Sequence, residues 1–244
     1  MSNGNKIIEA LERKPFAVIG HRGAAGLEPE NTIRSIKRAL EIGVDIIEVD
    51  VRGTRDGRLI LLHDEDFSRL ANVSYKAREL SLSEIRDRIR IMGEKVATLD
   101  DALTVIDGVA GLFIEIKEPD TTDVVLDTLN AYGATNWTAI VSFHDEALLR
   151  AKKRNPNIIT GLIYFKPPGR IFDAKKLQAE IVIPRYNLAT EKANKLAHKL
   201  GFYVVTWTVN DVSLAEKLVK AGVDGIASDY PDKMVAFREA LRNK

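Results

Sequence analysis

The chain has no cysteine among its 244 residues. That excludes disulfides, thiolate metal sites and a cysteine nucleophile, and it gives an oxidising compartment no support. Charge of one sign is also missing. With 36 basic residues against 35 acidic ones and a net charge of +1, the chain lacks the basic excess or stripe of an electrostatic nucleic-acid binder, so no DNA or RNA partner is expected. No apolar run approaches the roughly 20 residues of a membrane span. Met1–Arg13 carries Glu9 and Glu12 and lacks the apolar core and cleavage site of a leader. The expectation is a cytoplasmic protein without stable membrane association. Oligomeric state has no signature in the sequence.

What is present is a repeated unit of apolar strand, polar turn, amphipathic helix and glycine. Strands are expected at Phe16–Gly20, Asp45–Val51, Leu112–Lys117, Thr138–Phe143, Thr160–Tyr164, Ile181–Pro184, Phe202–Trp207 and Asp224–Ser228. Helices are expected between them, such as Thr32–Glu41 with Ile33, Ile36 and Leu40 on one stripe, and Asp211–Ala221 with Asp211 as cap and Gly222 as terminator. Gly43-Val44-Asp45 and Gly222-Val223-Asp224 look like two copies of one helix-to-strand join. Eight strands at a spacing of roughly 21 to 28 residues fit one closed (β/α)8 TIM barrel over residues 1–244 better than an open sheet.

The interval between the second and third strands is too long for one unit, and places an insertion at about residues 53–107. It opens with the hairpin signal Thr54-Arg55-Asp56-Gly57 and continues through Arg58–Leu62, which should carry His63 back toward the strand ends. Leu80–Met92 then has Leu82, Ile85 and Ile89 at helical spacing, and Thr98–Ile106 is expected to be the helix returning to the third strand. Such an insertion sits on a βα loop at the active face of a barrel, where its residues are candidates for a substrate lid.

The chemistry-bearing residues collect where apolar runs stop. Strand alternation puts Glu48 and Asp50 on one face, and likewise Glu115 and Lys117. Carboxylates about 7 Å apart in a partly dry site repel unless something positive stands between them, and a hard divalent cation is the usual choice. The alternative is an ion-pair cluster in which Lys117 bridges Glu48 and Glu115. His21 and His63 also fall at strand ends, and imidazole both gives and takes protons near neutrality. A metal-assisted enzyme is the leading expectation.

From His21-Arg22-Gly23 and Pro29-Glu30-Asn31-Thr32 onward, the chain resembles the glycerophosphodiester phosphodiesterase family. The supporting motifs, in order, are Glu48-Val49-Asp50-Val51, Thr54-Arg55-Asp56-Gly57, Leu62-His63-Asp64, Glu115-Ile116-Lys117, Ser142-Phe143, Trp207-Thr208-Val209-Asn210 and Asp224–Pro231. It departs from many relatives at Arg69-Leu70-Ala71, where Arg-Thr-Thr is common, and at Ala97, where proline is common.

The resemblance implies metal-dependent hydrolysis of a small glycerophosphodiester to glycerol 3-phosphate and an alcohol. Glu48, Asp50 and Glu115 would ligate one divalent cation, Mg²⁺ or Ca²⁺, since an all-carboxylate set is a hard oxygen site. His21 and His63 would be the acid–base pair. Arg22 and Lys117 would hold phosphate oxygens. Trp207 would pack on the glycerol carbons or plug the barrel top. Asn31, Asn210 and Asp229 are expected to brace loops. A lysophospholipase D-like activity, marked by exposed large apolar residues in the Phe67–Met92 region, and a non-catalytic phosphate-binding barrel are the competing readings.

Overall fold

A computed structural model describes residues 4–243. Eight strands form the barrel: β1 (Ala17–Gly20), β2 (Ile46–Gly53), β3 (Gly111–Ile116), β4 (Thr138–Ser142), β5 (Ile159–Tyr164), β6 (Ile181–Pro184), β7 (Tyr203–Thr206) and β8 (Gly225–Ser228). Each pairs in parallel with its chain neighbours, and β1 closes the ring by pairing with both β2 and β8. All eight expected strands are present, with ends shifted by a residue or two.

Alternation builds two apolar layers from the same strands. Ile19, Ile46, Phe113, Val141 and Val205 point into the barrel, whereas Val18, Ile47, Val49, Ile114 and Val204 face the surrounding helices. Asp211 is the expected cap, and Thr32, expected as the first helical residue, is the cap of its helix. Thr32 caps Ile33–Ile42 through Ser35 N–H, and Asp211 caps Val212–Lys220 through Leu214 N–H.

The amino-terminal mouth of the barrel is shut by the short helix Lys6–Leu11, whose Ile7, Ala10 and Leu11 join the inner core. Gly111 at the start of β3 makes room for it, because a Cβ there would lie 2.7 Å from Ile7 Cδ1. This helix falls within the Met1–Arg13 segment, of which Met1–Asn3 lie outside the described residues.

The two repeated Gly-Val-Asp joins do the same job at this end. Asp45 accepts the N–H of Val18 at 2.8 Å and pairs with Arg13 and Arg238; Asp224 accepts the N–H of Val204 at 2.8 Å and pairs with His198. Glu180 makes a third such contact, accepting Thr160 N–H at 2.9 Å beside Lys152. Each carboxylate satisfies a backbone donor on a neighbouring strand and has a cation beside it, which for Asp224 is Lys14 at 3.7 Å, so the charges at this face hold the barrel together.

The insertion between β2 and its helix Leu99–Ile106 begins with a strand, Leu59–Leu61, antiparallel to the end of β2. It has its own core, in which Ile60, Leu62, Phe67, Ile85, Ile89 and Ile91 are buried together. One expectation fails here. The helix anticipated over Leu80–Met92 spans only Leu82–Arg88, and the chain then turns through Met92 and Gly93 into a small hairpin of Arg90–Ile91 and Glu94–Lys95. Ile89, the extended residue that ends the helix, and Ile91 in the strand point to one side, and both still reach the core.

Candidate active site

β2 carries Glu48 and Asp50 inward, and β3 carries Glu115 alongside them, in register with Asp50. All three are buried, and one carboxylate oxygen from each lies within 4.8 Å of the other two. Burial, reinforced by the charge of Asp50, pushes the Glu48 carboxyl up to about 8. Burial and Asp50 also raise Glu115. Asp50 goes the other way, because Lys117 and Arg22 outweigh its burial and hold it well below the usual carboxylate range. Glu48 Oε1 is buried without a hydrogen-bond partner. A partnerless carboxylate oxygen beside two more carboxylates is a donor set that fits a hard divalent cation.

Lys117 lies between Asp50 and Glu115, with Nζ 2.9 Å from Asp50 Oδ1 and 2.5 Å from Glu115 Oε1. The cluster anticipated as an alternative had Lys117 bridging Glu48 and Glu115; in the structure its carboxylate partners are Asp50 and Glu115. The reason is register: Asp50 lies opposite Glu115, two residues before Lys117 on the same face, whereas Glu48 lies opposite Phe113, further down the strand.

The turn after β1 is built around left-handed backbone at Arg22 (φ 49°) and Gly23 (φ 85°). A Cβ at Gly23 would also collide with Ser35. This turn directs the Arg22 N–H to Glu48 Oε2 at 2.8 Å. The Arg22 guanidinium donates Nη1 to Glu30 at 2.8 Å and places Nε 3.2 Å from Asp50 Oδ2. Asn31, also left-handed, holds Asp50 at two points, donating Nδ2 to Oδ2 at 2.8 Å and accepting the Asp50 N–H at 3.1 Å.

His21 and His63 reach the site from different loops, and each is held by an aspartate. His21 Nδ1 lies 2.7 Å from Asp229 Oδ1, and Asn210 donates to the other Asp229 oxygen at 2.8 Å. His63 Nδ1 lies 2.8 Å from Asp64 Oδ1. With Nδ1 engaged, Nε2 of each ring is the nitrogen left for chemistry, and that of His21 is 4.0 Å from Glu48. Their environments push them apart. Burial draws His21 down, but Asp229 and Glu48 more than reverse it and leave the ring above its ordinary 6.5. At His63 burial prevails over the attraction of Asp50, and the ring lies below 6.5.

These side chains surround a pocket of about 120 Å³ at the carboxy-terminal mouth of the barrel, lined by His21, Arg22, Glu48, His63, Glu115 and Lys117 over an apolar floor that includes Phe113 and Val205. Trp207 lines it too. It shares the inner layer with Tyr203 and Val205, as alternation predicts, but stands just beyond the end of β7, where its Nε1 donates to Ile183 O at 3.0 Å.

All eight residues singled out from the sequence therefore converge, Asp50 from directly behind the pocket wall. The supporting shell was less visible. Asp229, expected only to brace a loop, holds His21, and Arg69 joins Asp64 to Glu30 across two loops. The acidic residue directly after His63 was the available signal for the Asp64 contact.

Residues 21–233 match the model of the glycerophosphoryl diester phosphodiesterase family. A glycerophosphodiester phosphodiesterase of Caldanaerobacter subterraneus is 32% identical over 234 residues, covering 89% of this chain and 96% of its own. One from Bacillus subtilis is 28% identical, covering 88% and 83%. Among solved structures, an Oleispira antarctica phosphodiesterase in complex with the product sn-glycerol-3-phosphate is 27% identical with a TM-score of 0.84, covering 91% of this chain and 96% of that one. The chain belongs to the glycerophosphoryl diester phosphodiesterase family of hydrolases.

Proposed function

We propose that this site hydrolyses small glycerophosphodiesters to glycerol 3-phosphate and an alcohol, with His21 and His63 as the acid–base pair and a divalent cation on Glu48, Asp50 and Glu115. The observation that carries this is the convergence of two aspartate-backed histidines with three clustered carboxylates in one pocket. The Oleispira antarctica phosphodiesterase, bound to sn-glycerol-3-phosphate, supports the product assignment.

His63, held below its ordinary value, is the base, and His21, held above it, is the acid. The glycerol hydroxyl next to the ester carbon is already close to phosphorus, which gives it a large effective-concentration advantage over water. His63 removes its proton, its oxygen bonds to phosphorus, the bond to the alcohol breaks, and His21 protonates the departing oxygen. Water then opens the cyclic glycerol phosphate with the roles reversed. It gives a proton to His21, and His63 returns its proton to the ring oxygen.

Arg22 and Lys117 bind non-bridging phosphate oxygens, and their carboxylate contacts hold both cations at the pocket wall. Trp207 packs on the glycerol carbons. The cation, Mg²⁺ or Ca²⁺ from the all-oxygen donor set, supplies charge neutralisation and Lewis acidity at phosphate oxygen when bound. A cytoplasmic setting suits a cysteine-free chain, and among the described residues no helix is long and apolar enough to cross a membrane.

An acyl-chain substrate finds little support. In the 67–92 segment Phe67, Leu80, Ile85, Ile89 and Ile91 are packed inward, and the exposed large apolar residues there are Tyr75 and Met92. The test is release of glycerol 3-phosphate from a panel of glycerophosphodiesters, with and without chelator. Absence of release from every member in the presence of Mg²⁺ and Ca²⁺ would overturn the assignment.

A further inference from the structure

Two further cavities that the phosphate chemistry does not use adjoin the catalytic pocket, one sharing Phe143 and Ile163 with it and the other Trp207. One, of about 180 Å³, is lined by Phe143, Ile163, Tyr164, Phe165, Lys166 and Arg170; the other, of about 360 Å³, by Phe165, Arg185, Tyr186, Trp207 and Thr208. An aromatic shelf joins them to the reacting end. Phe143 meets Trp207 edge-on at 5.5 Å and Phe165 edge-on at 5.8 Å, and Lys117 Nζ is 6.0 Å from the Phe143 centroid. The shelf follows the carboxy-terminal ends of β4 to β7, the face where a barrel's loops receive substrate.

The shelf has a sign. Lys166 Nζ lies 5.4 Å from the centre of the Phe165 ring, and Arg185 Cζ lies 5.2 Å from that of Tyr186. Both cations are exposed, and among the described residues neither has a carboxylate within ion-pairing distance. Arg170 differs, being paired with Asp145 and Asp173. No Asp or Glu lines either cavity among the described residues. An ammonium headgroup is drawn to open aromatic faces and nearby carboxylates. Here Phe165 and Tyr186 already carry a cation each, and the neighbouring charge is positive.

We propose, resting on the function above, that this shelf is the subsite for the leaving alcohol and that it selects alcohols bearing a second anionic group, a phosphate or a carboxylate, through Lys166 and Arg185. A cationic alcohol such as choline is disfavoured. Lys166 borders one cavity and Arg185 the other, so an anion in either meets an unpaired cation, which gives a preference on the order of 10-fold that falls as salt is raised.

The experiment compares four diesters of glycerol phosphate: those of choline, of glycerol, of glycerol carrying a terminal phosphate, and of glyceric acid. kcat/KM and calorimetric affinity are measured for each with the wild type and with Lys166→Glu/Arg185→Glu. The expected result is a preference of about 10-fold or more for the two anionic alcohols over choline. In the variant that ratio inverts while the glycerol diester changes less than about 3-fold. Preference for only the phosphate or only the carboxylate identifies which anion the shelf takes. Both substituted residues are exposed and off the catalytic pocket, and an unchanged Tm verifies folding. Equal or better use of the choline diester by the wild type, or a ratio unmoved by the charge reversal, overturns the subsite. Absence of turnover with all four would contradict the function, while the affinity ratios would still decide the subsite.

Discussion

Arg69 of the insertion grips Glu30 of the first βα loop through two hydrogen bonds, Nη2 to Oε1 at 2.7 Å and Nη1 to Oε2 at 2.8 Å. Its Nε donates to Asp64 at 2.6 Å, Asp64 holds His63, and Glu30 holds Arg22. One guanidinium thus links the support of one histidine to the support of the phosphate-facing arginine, and it fastens the insertion to the barrel.

Replacing Arg69 by Ala should therefore lower kcat by about 10-fold or more, because small displacements of reacting groups are costly. KM should rise less, and Tm should change little for a half-exposed side chain. Lysine should restore only a small part of kcat, since a single ammonium cannot span Glu30 and Asp64 as the fork does. Steady-state kinetics with Tm on all three proteins gives the answer, and a kcat within 2-fold of wild type in Arg69→Ala would show that the link is dispensable.

The opposite shifts of the two histidines set the pH dependence. His63 works unprotonated and lies below 6.5, so kcat/KM should fall as pH drops through its value. His21 works protonated and lies above 6.5, so kcat/KM should fall again as pH rises through that value. Asp229→Asn removes a group that raises His21, and should move the alkaline limb to lower pH while leaving the acid limb in place. A pH–rate profile in which the variant's acid limb moves instead would reverse the assignment of acid and base.

Glu48, pushed up to about 8 by burial and by Asp50, holds a proton at neutral pH until a cation displaces it. Cation binding should therefore release close to one proton below pH 8, and affinity should rise by up to about tenfold per pH unit between pH 6 and 8. Calorimetric titration with Mg²⁺ and Ca²⁺, in buffers of different ionisation enthalpy, measures both quantities. Affinity that is flat across this range would place the cation away from Glu48.

At the other end of the barrel, Asp45 joins the Val18 N–H, Arg13 and Arg238, the last almost fully buried. Asp45→Ala leaves the buried Arg238 with only the looser contact to Glu239 at 3.5 Å and should cost about 3–5 kcal/mol, with little change in kcat for the fraction that remains folded. Denaturant unfolding measures the loss, and one below about 1 kcal/mol would mean the cluster is not structural.

The strands were legible because a parallel barrel buries both faces, leaving continuous apolar runs such as Ile46–Val51 interrupted only where Glu48 and Asp50 turn inward. The Asp211 cap announced itself by residue type. The 80–92 stretch misled because Ile85 and Ile89 fit a helical stripe while Ile89 and Ile91 fit a strand, and only packing against Phe67 and Leu62 chooses between them. In the site, inward-facing carboxylates on apolar strands were conspicuous. The partners of the histidines were not, since Asp229 lies 208 residues from His21, and no local pattern marks a contact made only when the barrel closes.

Whether a cation on the carboxylate triad and two histidines cleave a glycerophosphodiester is decided by following glycerol 3-phosphate release from sn-glycero-3-phosphoglycerol by metal-stripped enzyme as Mg²⁺ or Ca²⁺ is returned. No release is expected from the stripped enzyme, with full release restored for the wild type. With saturating cation, His21→Ala and His63→Ala should each remain about 10²-fold or more below wild type. Full activity in the stripped enzyme, with metal absent by elemental analysis, would mean that the reaction needs no cation, and wild-type kcat in either histidine variant would mean that this histidine carries no proton in it.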